Sequence, residues 1–202
     1  MILAERIAEV DQLRKRVSGI DNDGWDHIKE VTTLHHFPAG HLFIKPLQPC
    51  TKMGYVVRGL LMSYIYDTNG DKDVSQFFMN KLNLCVTDFE KFDSESNTHL
   101  SFITLLPTTM LCIEKPEYLS LHLGVRNIDM ISKNILYDSM VKMNQYYSDK
   151  RNINDEKFVL WFYNLHPILF NKKIVERKFL SSYLGVGKDF ITKTLNKHSI
   201  II

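Results

Sequence analysis

The chain has 202 residues, 45% of them hydrophobic, 11% aromatic and 24% charged, the composition of a globular protein and not of a disordered or fibrous one. That length holds one large domain or two small ones. Lys and Arg number 25 against 23 Asp and Glu, a net charge of +2, which excludes a uniformly cationic nucleic-acid coat but not a chain with one basic end.

No apolar run approaches the roughly 18 residues that a bilayer span needs. Glu5, Arg6 and Glu9 interrupt the apolar core that a signal peptide would require, so the cytoplasm is the expected compartment. At steps of three and four, Ile2, Leu3, Ile7, Val10, Leu13 and Val17 predict a helix over roughly 2–17. Asp21, Asn22, Asp23 and Gly24 read as a turn or cap before a short helix around Trp25 and Ile28.

From about 33 to 115 the pattern becomes one of short runs rich in β-branched and aromatic residues: HLFI, MGYVV, LLMSYIY, VSQFF, SFITLL and MLCIE. Pro38-Ala39-Gly40, Gly54, Gly59, Asn69-Gly70 and Pro107 punctuate them, a spacing that predicts a sandwich or barrel. Asn69-Gly70 predicts a hairpin, with a loop from Asp67 to Lys72 longer than two residues. Cys50, Cys85 and Cys112 are widely spaced and odd in number, and form no zinc or iron–sulfur pattern; small buried apolar side chains are expected. His35 and His36 are adjacent on a strand and point to opposite faces, so a metal ion shared with His41 is not expected. Phe77, Phe78, Phe89, Phe92 and Phe102 read as core more readily than as an effector pocket, although a barrel interior can serve as both.

A third regime begins near Glu117. Leu123 to Asp149 contains no Pro, and its one Gly is Gly124. Ile128, Ile131 and Ile135 form a stripe that Leu136, Met140, Met143 and Tyr147 continue with a small drift in phase. A helix of about 25 residues rises about 37 Å, more than the depth of a small β-sandwich. Either the helix packs only on its own domain, or part of it pairs with a second copy of the chain. On the second reading Ile128, Ile131, Ile135, Met140 and Met143 form the dimer interface.

The last quarter carries the charge. Residues 1–150 hold 16 Lys/Arg and 19 Asp/Glu, residues 151–202 hold 9 and 4, and residues 171–202 hold seven and two. Asn154-Asp155-Glu156 can cap a helix through Phe158, Trp161, Phe162 and Leu165, and Pro167 breaks the helical pattern beyond it. VERKFLSSYLGVGKDFITKTLNK then sets two helices of about eight residues around Leu184-Gly185-Val186-Gly187, locked by Leu180, Leu184, Val186, Ile191 and Leu195. Ser181 is small where the helices approach, and Gly185 suits a left-handed turn. This is helix-turn-helix spacing, although a plain helical hairpin with a solvated basic face shares it. The second helix would present Lys188, Asp189, Thr192, Lys193 and Asn196 to a major groove. Lys can pair with phosphate or guanine, Asp189 with cytosine N4, and Thr192 with a thymine methyl.

A β-rich domain, one long helix and a C-terminal helix-turn-helix, in that order, resemble the Crp/Fnr family of transcription regulators over nearly the whole chain. HHFPAGHLFI, GYVVRGLLMSYI and NGDKDVSQFF resemble the family's first strands, and EKFVLWFYNLHPILFNKKIVERKFLSSYLGV resembles the start of its DNA-binding domain. The resemblance implies an α+β chain: a cyclic-nucleotide-binding-like β-roll (jelly roll) with N-terminal helices over 1–122, a dimerisation helix over 123–150, and a helix-turn-helix domain over 151–202. It places Lys188, Asp189 and Lys193 at the basic, acidic and basic positions that read bases, with Thr192 beside them. Asn196, Lys197, Arg177 and Lys178 complete the expected DNA-binding set.

Two stretches depart from the family's pattern. Nucleotide-binding members carry a Gly-Glu pair and, about ten residues later, an Arg-Ser or Arg-Thr. Here Cys85-Val86 stands near the first pair, Thr98 lies in the later stretch, and no Arg occurs between Arg58 and Arg126. A buried cyclic phosphate without a guanidinium is costly, and Lys81 or Lys91 replaces it only with suitable geometry, so cyclic AMP is not expected in the usual mode. Cys85, Val86 and Thr98 remain the effector-pocket candidates. Secondly, Asn196 to Ile202 is too short for a β-wing, so fewer phosphate contacts and a smaller salt slope are expected.

Gly185-x-Gly187-Lys188 is not a phosphate-binding loop, no GxSxG occurs, and no acid–base carboxylate pair stands out. No catalytic residue, metal or cofactor is assigned, no effector is named, and an enzyme is not expected. The expected partners are palindromic double-stranded DNA, a second copy of the chain and RNA polymerase, without a membrane. The other reading is a small-ligand-binding or protein-interaction module that has lost DNA binding.

Overall fold

Short runs rich in β-branched and aromatic residues form, among the described residues, seven strands between Thr33 and Glu114 in the computed structural model: β1 (Thr33–Phe37), β2 (Leu42–Ile44), β3 (Lys52–Arg58), β4 (Leu60–Tyr66), β5 (Lys72–Met79), β6 (Ser101–Thr104) and β7 (Thr108–Glu114). The structure describes residues 2–15, 19–66, 69–79, 86–94, 96–125 and 150–200, together with 128, 137, 140, 141, 144, 145 and 148. The helices are α1 (Ile2–Arg14), α2 (Asn22–Val31), the short α3 (Phe89–Asp93), α4 (Lys115–Gly124), α5 (Asp155–Leu165), α6 (Arg177–Leu184) and α7 (Lys188–Lys197). A 3-10 turn over Pro167–Phe170 comes after α5, where Pro167 removes a backbone donor.

The strands form two sheets, in the orders β1-β7-β3 and β2-β6-β4-β5. Both ladders of the first sheet are antiparallel, with Leu34 opposite Leu111 and Tyr55 opposite the same Leu111 on its other side. β4 and β5 are neighbours across the Asn69-Gly70 loop, with Gly70 at φ 82, as the hairpin signal predicted. The chain is therefore a mixture of helices and antiparallel sheets.

Contacts divide the chain into two units, residues 1–61 with 78–139 and residues 62–77 with 140–202. In the first unit Phe43, Val56, Leu61, Phe92, Phe102 and Met110 form one core, and Val10, Trp25, Ile28, Tyr55, Leu111 and Val125 belong to a second. Gly54 makes the first core possible: a Cβ there would collide with Met110 Cε and stand 3.0 Å from Phe43 Cζ. In the second unit Phe158, Phe170, Leu180 and Ile191 are each fully buried. Truncating one such aromatic to Ala costs about 3–5 kcal/mol.

Asp21 caps α2 by accepting from Gly24 N at 2.8 Å, and Asn154 caps α5 by accepting from Lys157 N at 2.9 Å. α1 departs from the amphipathic stripe read from its sequence: Val10 is fully buried, but Leu3 and Ile7 are exposed. Leu123, read as the start of the long helix, lies in the last turn of α4. Val125 leaves helical geometry at φ −113 and ψ 117, and it packs so close to Gly24 that a Cβ there would stand 2.7 Å from Val125 Cγ1. α4 thus ends at Gly124, the one glycine of the stretch, with Val125 packed against Gly24. Beyond it, every described position from 128 to 152 is helical.

Candidate nucleic-acid interface

Leu180, Leu184, Ile191 and Leu195 are buried to 2% exposure or less and clamp α6 against α7. Between the helices Gly185 takes φ 65 and ψ 37, the left-handed conformation that costs glycine nothing. Its N–H donates to Ser182 O at 3.2 Å and Ser181 O at 2.9 Å, while Val186 N–H donates to Ser181 O at 3.2 Å, a Schellman closure. Ser181 Oγ donates across the turn to Val186 O at 2.5 Å, and Lys150 Nζ donates to Leu184 O at 2.7 Å. The small residue expected at the close approach is thus also a strut for the turn.

This clamp leaves Lys188, Asp189, Lys193 and Asn196 exposed on α7. Among the described residues Lys188, Asp189 and Lys193 make no ion pair. Thr192 is half-buried, and its hydroxyl donates back to Lys188 O at 3.3 Å. Gly187 offers no side-chain cap, so the first-turn N–H groups are not held by one. Phe190, 37% exposed, stands among the polar residues and was missed in the sequence because it is out of phase with Ile191 and Leu195.

The remaining basic residues are less free. Lys197 Nζ lies 2.8 and 3.0 Å from the two Glu156 carboxylate oxygens, and His198 Nε2 lies 2.9 Å from the first of them. Hydrogen bonds from Lys197 and then His198 hold the Glu156 carboxyl below the usual carboxylate range. Lys178 pairs with Glu176 at 3.2 Å. Arg177 lays its guanidinium 5.8 Å over the Phe170 ring, and burial lowers its pKa.

A second group of contacts had no local signal in the sequence. Ser182 Oγ donates to Asp73 Oδ1 at 2.7 Å and accepts from Val74 N at 2.9 Å. Lys72 Nζ sits 4.3 Å over the Tyr64 ring and 5.6 Å over Phe179, and the Phe77 and Tyr183 rings meet edge-on at 5.2 Å. Within the second unit the β4–β5 hairpin is therefore tied directly to α6.

Of the effector-pocket candidates, Cys85 lies outside the described residues. Val86 is fully buried in the first core and exchanges backbone hydrogen bonds with Gly54 at 3.0 and 2.6 Å. Thr98 is equally buried; its hydroxyl donates to Asp88 Oδ2 at 2.5 Å and accepts from Leu100 N at 2.9 Å. Both side chains are spent on internal structure. Cys50 and Cys112 are buried free thiols, and burial pushes Cys112 up to about 12, far from a reactive thiolate. Among the described residues no group of His, Cys, Asp or Glu is arranged to hold a metal, and no helix is long and apolar enough to cross a membrane.

No family model and no curated protein matches the sequence. Solved structures do match. A protein from Eubacterium rectale assigned to the Crp/Fnr family of transcriptional regulators superposes with a TM-score of 0.61 at 13% identity, over 89% of this chain and 84% of that one. FixK2 from Bradyrhizobium japonicum gives 0.60 at 12% identity, over 84% and 85%. The c-di-GMP-responsive global regulator CLP of Xanthomonas campestris gives 0.59 at 14% identity, over 89% and 92%. The fold is that of Crp/Fnr regulators.

In this chain of Crp/Fnr-like fold the residues read as a dimer interface divide. Ile128 is 4% exposed and belongs to the second core of the first unit, whereas Met140 is 58% exposed. Tyr137 and Val141 are exposed as well. Ile131, Ile135 and Met143 lie outside the described residues.

Proposed function

We propose that the protein is a homodimeric, sequence-specific DNA-binding transcription regulator, with α6 and α7 as a helix-turn-helix and α7 as the reading helix. The observation that carries this reading is the exposure of Lys188, Asp189, Lys193 and Asn196 on a helix whose opposite face is wholly buried. A rigid helix with free cations on one side is what a major groove accepts. Lys188 and Lys193 supply phosphate or guanine contacts, and Asp189 selects cytosine. The exposed Tyr137, Met140 and Val141 favour pairing of two copies through the helix that precedes α5. Two copies read a palindrome, and RNA polymerase is the partner through which bound dimers act on transcription.

The sensor is degenerate. The filled positions at Val86 and Thr98, and the lack of Arg between 58 and 126, favour a domain that does not bind cyclic AMP in the usual mode. The hairpin contacts from Asp73 and Val74 to Ser182 offer a route by which strand movement would reach α6. Fluorescence anisotropy with labelled duplexes tests the proposal: the wild type binds at low salt, and Lys188→Ala with Lys193→Ala weakens binding. Tight binding of a small ligand with no duplex binding at any salt would instead support a ligand-binding module.

A further inference from the structure

Beside β2 the first unit contains a pocket of about 310 Å³, lined by residues 41–45 and 48–52. Val86 and Thr98 do not line it. Three lining side chains are cationic or can become so, His41, Lys45 and Lys52, and none is acidic. Among the described residues neither lysine makes an ion pair. Glu114 faces Lys52 across the β3–β7 ladder without reaching ion-pair distance. Phe43, Ile44 and Cys50 are buried and give the pocket an apolar floor, and Lys52 Nζ rides 4.8 Å above the Phe43 ring.

The three basic groups share one electrostatic space. Burial, then the charges of Lys52 and Lys45, hold the His41 imidazole below its ordinary pKa. Like charges gathered around a cavity repel, and an anion between them removes that cost. Between the two lining segments the backbone is strained: Leu47 takes φ 58, unusual for a branched side chain, with its N–H donating to Thr98 O at 2.7 Å.

We infer that this pocket binds a small organic polyanion, a phosphate ester or a di- or tricarboxylate, with Lys45 and Lys52 supplying the charge and Phe43 the apolar wall. The volume is at the lower end of the roughly 300–1,000 Å³ of small-molecule sites. The inference does not depend on the DNA-binding reading.

Calorimetric titration of the full chain with citrate and with inorganic pyrophosphate tests it, at ionic strength held constant with potassium chloride and with glucose as a neutral control. The expected result is one saturable site for at least one anion, weakened at least about tenfold by Lys45→Ala and by Lys52→Ala. Lys193→Ala, on the basic face of α7, leaves it unchanged. Saturation also raises the His41 pKa followed by NMR. Binding of citrate alone points to carboxylates and of pyrophosphate alone to phosphates, and either supports the inference. Absence of saturable binding at millimolar anion, or binding lost in Lys193→Ala but not in Lys45→Ala and Lys52→Ala, overturns it.

Discussion

Gly185 decides the position of α7, because its φ of 65 turns the chain back after α6. Gly185→Ala places an L side chain in the left-handed region, at a cost of about 1–2 kcal/mol. The new Cβ meets only the flexible Lys150 Nζ, so strain and not collision sets the loss. Urea unfolding is expected to show a destabilisation of that size, accompanied by weaker duplex binding. Lys188→Ala and Lys193→Ala are each expected to lower the salt slope of duplex binding by about 1 where the lysine contacts phosphate. Lys197→Ala has a smaller effect, because Glu156 already holds that ammonium. Glu156→Gln does the opposite: it frees Lys197, removes a negative charge and tightens non-specific duplex binding in the same anisotropy assay. Single residues were unevenly legible. Asp21, Asn154 and Gly185 announce themselves because caps and turns are local chemistry. The grip of Glu156 on Lys197 joins residues 41 apart, and nothing in either neighbourhood signals it.

At the scale of elements, α5 and the turn after it carry a pH dependence. His166 closes α5, its ring tilted 60° to that of Phe162 at 4.9 Å, and burial lowers its pKa. The folded state therefore binds fewer protons than the unfolded one. His166 contributes stability that is present above its unfolded value of about 6.5 and lost as pH falls through the lower folded value. His41 acts with the same sign. Glu156, also depressed, loses its contribution only below the ordinary carboxylate range. Thermal melts between pH 7 and 5 are expected to show a falling Tm, with a shallower fall in His166→Gln; an unchanged slope in that variant would count against the account. Short apolar runs between turn residues made the strands and the β4–β5 hairpin readable, β3, β4 and β7 being buried at consecutive positions, whereas α5 to α7 were readable from one apolar face each. The break at Val125 carried only a weak signal, Gly124, which is also tolerated inside helices, and the packing of Val125 against Gly24, a hundred residues earlier, had none.

Across the whole molecule, the small net charge conceals an acidic first part and a basic last quarter, and the basic residues prove to lie largely around α6 and α7. Strand spacing anticipated a sandwich or barrel, and the resemblance of element order and named stretches to the Crp/Fnr family anticipated the fold, whereas the filled core around Val86 and Thr98 required side-chain positions. Calorimetry with cyclic AMP is expected to give no saturable heat. Sedimentation at micromolar concentration is expected to give the mass of two chains, and Met140→Glu, which puts a charge on the exposed apolar stripe, is expected to shift the population toward one. The central claim, that α7 reads DNA in a two-fold pair, is tested most directly by selection from random duplexes with the full chain. The account predicts an enriched palindrome with half-sites about 34–36 Å apart, and loss of that enrichment in Lys193→Ala. Recovery of no palindrome, or of the same palindrome with undiminished enrichment in Lys193→Ala, would contradict it.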